Sequence, residues 1–260
     1  MGTVEESRHS DFPVGTRVLS DLGWRSAFIA APTETSLLAL NDRAVPPEWH
    51  LGLLGLTGIT AWRGIEEVLA PLRGETLLVT GAAGAVGSVA CQLAKARGAR
   101  VLATTGSDEK AAWLMEALGV DAVVNHRRQP ITDFLDEAAP GGIDAYFDNV
   151  GGAVLDTVLT RMKVCARIAL CGAMSLYEQD NFAGPANFFT VLEKSLRLEG
   201  FSAFVLPVPR RDAIVSRLKC LASAGTLISH QTILTGLDAV PQAMATMFDT
   251  GHLGKLVVRL

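Results

Sequence analysis

The stretch TLLVTGAAGAVGSVACQLAKARG, residues 76–98, decides the fold of this chain of 260 residues. Residues 76–82 form an apolar run ending around a glycine, which is typical of a strand buried on both faces of a parallel sheet. Apolar residues then recur at helical spacing until Gly98, which can end a helix. The stretch therefore predicts a strand, a tight glycine turn and a helix in immediate succession.

The same strand–helix alternation continues as far as residue 225. We predict further strands at 100–106, 122–126, 143–150, 167–173 and 201–206 (FSAFVL), and helices at 85–98, 108–119, 130–138, 151–162, 186–198 and 210–223. Repeated βα units build a parallel sheet with helices on both faces. Two βαβαβ halves with a break after the third strand predict an α/β fold, with a doubly wound six-stranded Rossmann-type sheet of strand order 3-2-1-4-5-6.

The two ends of the chain lack this rhythm. Residues 1–50 contain four prolines and short β-like runs at 16–20 and 26–30, followed by a linker near Pro46 and Pro47. The carboxy-terminal segment reads as a strand (228–236), a helix (238–249) and a strand (255–260). We expect a Rossmann domain at 51–225 and a partial β domain formed by 1–50 and completed by 226–260.

Composition excludes several classes of function. Hydrophobic residues make up 49% and charged residues 19% of the chain, which favours a buried core over disorder. The net charge of −4 argues against a nucleic-acid partner, which would require a basic face. No apolar run reaches the roughly 18 residues of a membrane span, and the polar start is unlike a signal peptide. The four cysteines form no CxxC pair and no metal-ligand spacing, so we expect no metal and a reducing, cytoplasmic location.

The glycine loop at 81–87 has the context of a dinucleotide-binding turn. A turn of small residues lets the backbone approach a pyrophosphate, and amides at the start of a helix favour an anion. We expect Gly84, Ala85, Val86 and Gly87 to bind the pyrophosphate, since a strand precedes them and a helix and second strand follow. A glycine turn that serves only packing is the alternative.

The end of the second strand indicates which dinucleotide is bound. An NAD site usually has an acidic residue there to accept hydrogen bonds from the ribose, whereas this chain has TTGS at 104–107. Ser107 and Lys110 can instead bind a 2′-phosphate, so the sequence favours NADPH. A solvated lysine in the first turn of a helix is the other interpretation of Lys110.

Seven segments spread over about 200 residues together resemble a known family. They are LGLTGITAW (54–62), VTGAAGAVGSVACQLAK (79–95), GSDEK (106–110), IDAYFDNVGG (143–152), ARIALCGAMSLY (166–177), EGF (199–201) and GKLVVR (254–259). In this order they resemble the zinc-independent medium-chain dehydrogenase/reductases, in the branch of leukotriene B4 dehydrogenase, prostaglandin reductase and alkenal double-bond reductase. In that family, NADPH reduces the carbon–carbon double bond of α,β-unsaturated aldehydes and ketones.

The resemblance implies roles for individual positions in binding NADP(H). Gly84 and Gly87 match the pyrophosphate loop, and Lys110 matches the lysine that meets the 2′-phosphate. His126 stands where the family usually has a tyrosine near that phosphate. The positions implied near the nicotinamide half or in the final motif are Asn149, Cys171, Gly172, Gly254 and Lys255.

Tyr177 matches a family tyrosine that is proposed to lie beside the substrate oxygen. When hydride reaches the β carbon of an enone, negative charge builds on the carbonyl oxygen, and a donor placed there stabilises the enolate. The Tyr177 phenol could be this donor or could protonate the α carbon. A half-buried loop aromatic is the structural alternative.

Members of the family carry a full GroES-like β domain, and HSDFPVGTRVLSDLGW (9–24) resembles only its later strands. We expect an apolar enone or enal substrate and a homodimer paired through the edge of the sixth strand. The reduced β domain leaves open a second function, a non-redox cyclase or isomerase, or a pseudoenzyme, that keeps NADP binding.

Overall fold

A parallel sheet flanked by helices forms the centre of the computed structural model, which describes residues 1–32, 36–40, 44–177, 184–247 and 252–260. The strands are β1 (Gly2–Thr3), β2 (Arg17–Ser20), β3 (Leu37–Leu40), β4 (Thr76–Val79), β5 (Arg100–Thr105), β6 (Ala122–Asn125), β7 (Ile143–Asp148), β8 (Met162–Leu170), β9 (Arg197–Gly200), β10 (Gln231–Thr235) and β11 (Lys255–Arg259). The α-helices are α1 (Leu56–Trp62), α2 (Gly87–Ala96), α3 (Asp108–Leu118), α4 (Ile131–Ala138), α5 (Gly152–Arg161), α6 (Phe189–Glu193), α7 (Val208–Ser223) and α8 (Val240–Ala245). A π-helical segment, Arg63–Leu69, continues α1.

The central sheet has the order β6-β5-β4-β7-β8-β9, and all of its neighbouring strands are parallel. In terms of the strands of this sheet alone, the order is 3-2-1-4-5-6, so the predicted doubly wound topology is confirmed. The first and fourth strands, β4 and β7, lie side by side at the point where the order reverses. Ligands of open α/β sheets bind at the carboxyl ends of such strands.

Both faces of the central sheet are buried. Successive residues of β4 point to opposite faces, so Leu77 and Val79 pack in one hydrophobic cluster with α1 and α2, while Leu78 packs in another with α4 and α5. The three side chains are fully buried. The continuous apolar run at 76–82 predicted a strand buried on both faces, and β4 is such a strand.

The predicted sixth strand at 201–206 is wrong, and so is the end of the predicted helix at 186–198. Helix α6 ends at Glu193, and the sixth strand is β9, while Ala203–Val205 form a 3-10 turn. Strand β9 has a neighbour on one side only and alternates the exposed Arg197 and Glu199 with the more buried Leu198. An edge strand covered on one face lacks the apolar run that identifies a central strand.

Smaller elements also differ from the predictions. Strand β8 begins at Met162, earlier than predicted, because a register shift against β7 and a left-handed Cys165 (φ 61°) accommodate extra residues. Residues 26–30 form no strand, whereas β3 was not predicted. The carboxy-terminal strands β10 and β11 were predicted and form a parallel pair. No helix among the described residues is both long and apolar enough to cross a membrane.

Candidate functional site

The glycine loop between β4 and α2 packs so closely that one of its glycines leaves no space for a side chain. A Cβ atom on Gly87 would lie 2.4 Å from the carbonyl oxygen of Gly81 and 2.7 Å from Cα of Ala82. A Cβ on Gly84 would meet only the Gly81 oxygen, at 3.3 Å. Gly87 therefore allows α2 to start directly against the turn, as the sequence predicted.

Two amides at the start of α2 remain available to an anion. Within the described residues, the amides of Val86 and Gly87 have no hydrogen-bond acceptor, whereas the Ser88 amide bonds to the carbonyl of Gly84 at 3.0 Å. Unpaired amides at the amino end of a helix attract negative charge. The loop thus has the geometry of a pyrophosphate site.

The segment before β11 lies on the glycine loop. The Gly254 amide donates to the carbonyl of Ala83 at 2.9 Å, and Gly84 and Gly254 form an isolated parallel bridge. Gly254 has φ +64°, and a Cβ there would stand 2.1 Å from the carbonyl oxygen of His230. The structure therefore brings Gly254 to the glycine loop, with Lys255 next to it in the chain. Burial lowers the pKa of the Lys255 amine.

A second set of hydrogen bonds holds the carboxy-terminal segment to α2. The Gln92 side chain donates to the carbonyl of Ile228 at 3.0 Å and accepts from its amide at 2.6 Å, and it also donates to the Ser88 carbonyl. The ring of His230 lies 5.4 Å from that of Trp113 on α3. Nothing in the sequence marked Gln92, because its partners are backbone atoms far along the chain.

At the carboxyl end of β7, a buried carboxylate organises the turn that follows. Oδ1 of Asp148 accepts from the Tyr146 hydroxyl at 2.6 Å and from the amides of Val150 and Gly151, each at 2.9 Å. Burial, followed by the charge of Asp148, raises the pKa of Tyr146 well above its usual value, so the phenol stays neutral and donates. Asp148 thus anchors the backbone of the turn that follows β7.

Asn149 is held against β4 by the same network. Its side-chain amide donates to the carbonyl of Thr80 at 2.7 Å, and its backbone amide donates to the Thr80 hydroxyl at 3.1 Å. A Cβ on Gly81 would lie 3.4 Å from Cβ of Asn149. The strand end at Asn149 therefore borders the glycine loop directly.

Cys171, Gly172 and Tyr177 lie next to this turn. The amides of Cys171 and Gly172 donate to the carbonyl of Asp148, at 2.9 and 3.1 Å. A Cβ on Gly172 would stand 3.3 Å from the Tyr177 hydroxyl, which accepts a long hydrogen bond of 3.5 Å from the Ala173 amide. Tyr177 is 55% exposed and lies beyond the carboxyl end of β8, at the edge of the sheet where ligands bind.

Cys171 is unsuited to act as a nucleophile. Burial, followed by the carboxylate of Asp148, raises the pKa of its thiol to about 12. A thiol with such a pKa is almost entirely protonated at neutral pH. Its position is therefore consistent with packing beside the site.

The ends of β5 and β6 hold the residues predicted to bind the 2′-phosphate. The Ser107 hydroxyl caps α3 by accepting from the Lys110 amide at 3.3 Å. The His126 amide donates to the Thr105 carbonyl at 3.0 Å, which places the start of the β6–α4 loop beside β5. Ser107, Lys110 and His126 thus lie on adjacent strand ends.

Arg127 adds a further cation that the sequence interpretation missed. Partial burial, and next the charge of Arg127, lower the pKa values of both the Lys110 amine and the His126 imidazole. Both basic groups therefore lie within the field of Arg127. In the sequence, Arg127 and Arg128 look like two ordinary solvated arginines. Only the fold shows that Arg127 lies near Lys110 and His126.

The groups at the site are thus backbone amides, hydroxyl groups, side-chain amides and basic side chains. Among the described residues, no three His, Cys, Asp or Glu side chains are grouped closely enough to hold a metal ion.

Comparison with known proteins agrees with this geometry. Residues 85–212 match the family described as zinc-binding dehydrogenase. The chain is 37% identical over 259 residues to 2-alkenal reductase (NADP(+)-dependent) of Nicotiana tabacum, with 98% of this chain and 74% of the relative covered. It is 34% identical over 262 residues to NADPH-dependent curcumin reductase of Escherichia coli, with 99% and 75% covered. The crystal structure of CurA from Vibrio vulnificus in complex with NADPH superimposes with a TM-score of 0.91 at 32% identity, covering 99% of this chain and 77% of that one.

Proposed function

Because this chain belongs to the medium-chain dehydrogenase/reductases, in the branch of the alkenal and enone reductases, we propose that it is an NADPH-dependent reductase of carbon–carbon double bonds. Its substrates are α,β-unsaturated ketones or aldehydes of apolar character. The observation that carries the proposal is the meeting of three groups at one sheet edge: the glycine loop, the cations beyond β5 and β6, and the exposed Tyr177 phenol.

The residues present fit NADP(H). The amides of Val86 and Gly87 are free to bind the pyrophosphate, and the small side chains at 81–87 leave the backbone accessible. Lys110 and His126, with Arg127 nearby, suit a 2′-phosphate better than a ribose hydroxyl, which a carboxylate would bind. The positions assigned to the cofactor are Gly84, Ala85, Val86, Gly87, Ser107, Lys110, His126, Asn149, Cys171, Gly172, Gly254 and Lys255.

When bound, NADPH would supply a hydride to the β carbon of the substrate, and a proton delivered to the α carbon, from Tyr177 or from solvent, would complete the reduction. The chain itself contributes orientation, because the Asp148 and Asn149 networks fix the turn beside the glycine loop. Tyr177 donates a hydrogen bond to the carbonyl oxygen as negative charge develops there, which lowers the barrier. Conjugation with the carbonyl group already polarises the double bond of the substrate.

Loss of absorbance at 340 nm on mixing the protein with NADPH and a panel of simple enones and enals tests the proposal. We expect turnover that requires both components. NADPH binding in calorimetry with no turnover on any substrate would contradict the reductase and favour a protein that only binds the cofactor.

Replacing Lys110 by alanine tests the 2′-phosphate assignment. Loss of a charge-assisted contact, about 1.5–3 kcal/mol, should weaken NADPH about 10- to 100-fold and leave NADH nearly unchanged. Calorimetry with both nucleotides measures the two affinities. Equal losses for NADPH and NADH would remove the assignment, and Lys95→Ala, a surface lysine paired with Asp121, serves as the control.

Replacing Tyr177 by phenylalanine tests the role of the phenol. We expect kcat to fall about 100- to 1000-fold, the usual effect of removing one donor to a developing oxyanion, while the affinity for NADPH stays the same. Steady-state kinetics and calorimetry on the same preparation separate the two quantities. An unchanged kcat would assign Tyr177 a packing role.

We also propose the domain division suggested by the sequence, with the Rossmann domain at 51–225 and a β segment at 1–50 completed by 226–260. One contact that favours it joins the two ends of the chain, since Arg259 pairs with Glu48 at 3.5 Å. Limited proteolysis that cuts inside residues 51–225 before it cuts near residues 50 and 225 would contradict this division.

We propose that the protein is a cytoplasmic homodimer paired through β9. Strand β9 is the last strand of the central sheet, and the nearby Phe204 and Val205 are 79% and 75% exposed. A second copy would satisfy the strand edge and cover these side chains. All four cysteines are free, as is usual in a reducing compartment. A monomer in light scattering at working concentration would refute the dimer.

A further inference from the structure

A short 3-10 turn, Met174–Leu176, follows β8 and leads directly into Tyr177. The Leu176 amide closes this turn by donating to the carbonyl of Ala173 at 2.8 Å. The Tyr177 side chain folds back over the entry to the turn, since its hydroxyl accepts from the Ala173 amide and would lie 3.3 Å from a Cβ on Gly172. The position of the phenol therefore depends on how this segment, which we call the tyrosine turn, is held.

The tyrosine turn is hydrogen-bonded to the turn that follows β7. The Met174 amide donates to the Asn149 carbonyl at 3.2 Å. The Val150 carbonyl accepts twice from Ser175, from the amide at 3.0 Å and from the side-chain hydroxyl at 2.8 Å. The Ser175 hydroxyl thus adds a side-chain bond to two backbone bonds, and a substitution can remove it without removing the others.

Two left-handed glycines leave space for the tyrosine turn. Gly151 has φ +69° and Gly152 has φ +55°, a region of backbone conformation that other residues rarely adopt. A Cβ on Gly151 would lie 3.3 Å from Cα of Ala173. A Cβ on Gly152 would lie only 2.7 Å from the hydroxyl oxygen of Ser175. Side chains at either position would therefore press on the tyrosine turn at its point of contact.

We propose that Ser175 is a positioning residue for the reduction, because its hydroxyl bond to Val150 fixes the tyrosine turn and so directs the Tyr177 phenol toward the substrate oxygen. The proposal rests on the proposed function, which supplies the role of Tyr177. The acceptor of the bond is itself held, since Asp148 binds the amides of Val150 and Gly151, each at 2.9 Å. A donor stabilises developing charge best when it is fixed before the charge forms.

Ser175→Ala removes the hydroxyl bond and keeps the amide bond to Val150. One exposed hydrogen bond contributes modestly, so we expect kcat to fall about 3- to 10-fold, with the affinity for NADPH and the Tm unchanged. Ser175→Thr keeps a hydroxyl and should restore kcat. Ser216→Ala is the matched control, because the exposed Ser216 hydroxyl on α7 also donates to a backbone carbonyl, that of Asp212 at 2.9 Å. It should leave kcat unchanged.

Double-mutant cycles test whether Ser175 acts through the phenol. In the Tyr177→Phe background, Ser175→Ala should leave kcat unchanged, because the hydroxyl that it positions is absent. Gly152→Ala should lower kcat less in the Ser175→Ala background than alone, since its remaining contacts there are 3.5 Å or longer. A full further loss of kcat in the Tyr177→Phe background would overturn the positioning role, as would an equal loss from Gly152→Ala in both backgrounds.

An NMR measurement follows the phenol independently of turnover. The chain has two tyrosines, and Tyr146 is fully buried, so tyrosine labelled with ¹³C in the ring gives a set of signals from each, assigned with Tyr177→Phe. Ser175→Ala should shift or broaden the Tyr177 signals and leave those of Tyr146 in place, whereas Ser216→Ala should change neither set.

The outcomes separate this proposal from the proposed function. Wild-type turnover of enones with unchanged Tyr177 signals in Ser175→Ala, or with shifted signals and an unchanged kcat, would overturn the positioning role and leave the reductase intact. Absence of turnover by the wild-type protein on every enone and enal would overturn the proposed function, and the role of Ser175 in the reduction with it.

Discussion

Gly87→Ala is expected to disrupt the cofactor site and the fold together. The new methyl group would lie 2.4 Å from the Gly81 oxygen and 2.7 Å from Cα of Ala82, and both are backbone atoms that cannot rotate away. Overpacking of a rigid interior costs about 1–3 kcal/mol, and this contact belongs at the upper end of that range. Chemical denaturation should therefore show a loss of about 3 kcal/mol, with NADPH binding abolished.

Gly84→Ala is the matched control for this prediction. The added methyl group meets only the Gly81 oxygen, at 3.3 Å, so stability should change by less than about 1 kcal/mol. The methyl group would nevertheless stand on the loop that approaches the pyrophosphate, and we expect a clear loss of NADPH affinity. If Gly87→Ala were as stable as Gly84→Ala, that result would contradict the close packing of α2 against the turn.

Asp148→Ala is expected to cost the most stability of any change at the strand ends. It leaves the amides of Val150 and Gly151 without their acceptor, and it leaves the Tyr146 hydroxyl with only the longer bond of 3.2 Å to the Thr80 hydroxyl. Each unsatisfied buried donor costs about 1–3 kcal/mol, so a total loss of about 3–5 kcal/mol is expected. Thermal and chemical unfolding, with NADPH binding measured on the folded fraction, check this.

Two further variants separate the network from the cavity that alanine leaves. Asp148→Asn keeps an oxygen that accepts from the two amides, and Tyr146→Phe removes only one donor, so each should cost about 1 kcal/mol. If Tyr146→Phe lost as much stability as Asp148→Ala, the main stabilising contact of the Asp148 carboxylate would be its bond with the phenol rather than its bonds with the turn.

The elements that the sequence identified are those whose signal is local. Strand β4 and the glycine turn followed from a continuous apolar run and a strand–helix context, and the strand order followed from counting βα units. Strand β9 was missed because an edge strand alternates exposed and buried residues. Residues 201–206 are more apolar because Ala203 and Leu206 are buried in the core, although this segment forms a turn and not a strand.

The site divides along the same line. Lys110 and Ser107 were predicted to bind the 2′-phosphate because the start of a helix after β5 has a fixed place in the fold, and this assignment stays a prediction. Arg127 was missed, because its importance lies in its field at Lys110 and His126 rather than in any spacing along the chain. Gln92 was missed for a related reason, since its amide bonds to the backbone of Ile228, 136 positions later.

The bond between Gly254 and Ala83 has a consequence for the order of events during biosynthesis. Residues 76–200, which supply every strand of the central sheet, leave the ribosome well before position 254 does, and chains fold progressively as they emerge. A nascent polypeptide can therefore complete its sheet while the coenzyme pocket still lacks one wall. Competence to retain the nucleotide arises only when the late-emerging segment docks, so a translation-arrested intermediate ending before residue 254 should be folded but unable to hold its coenzyme.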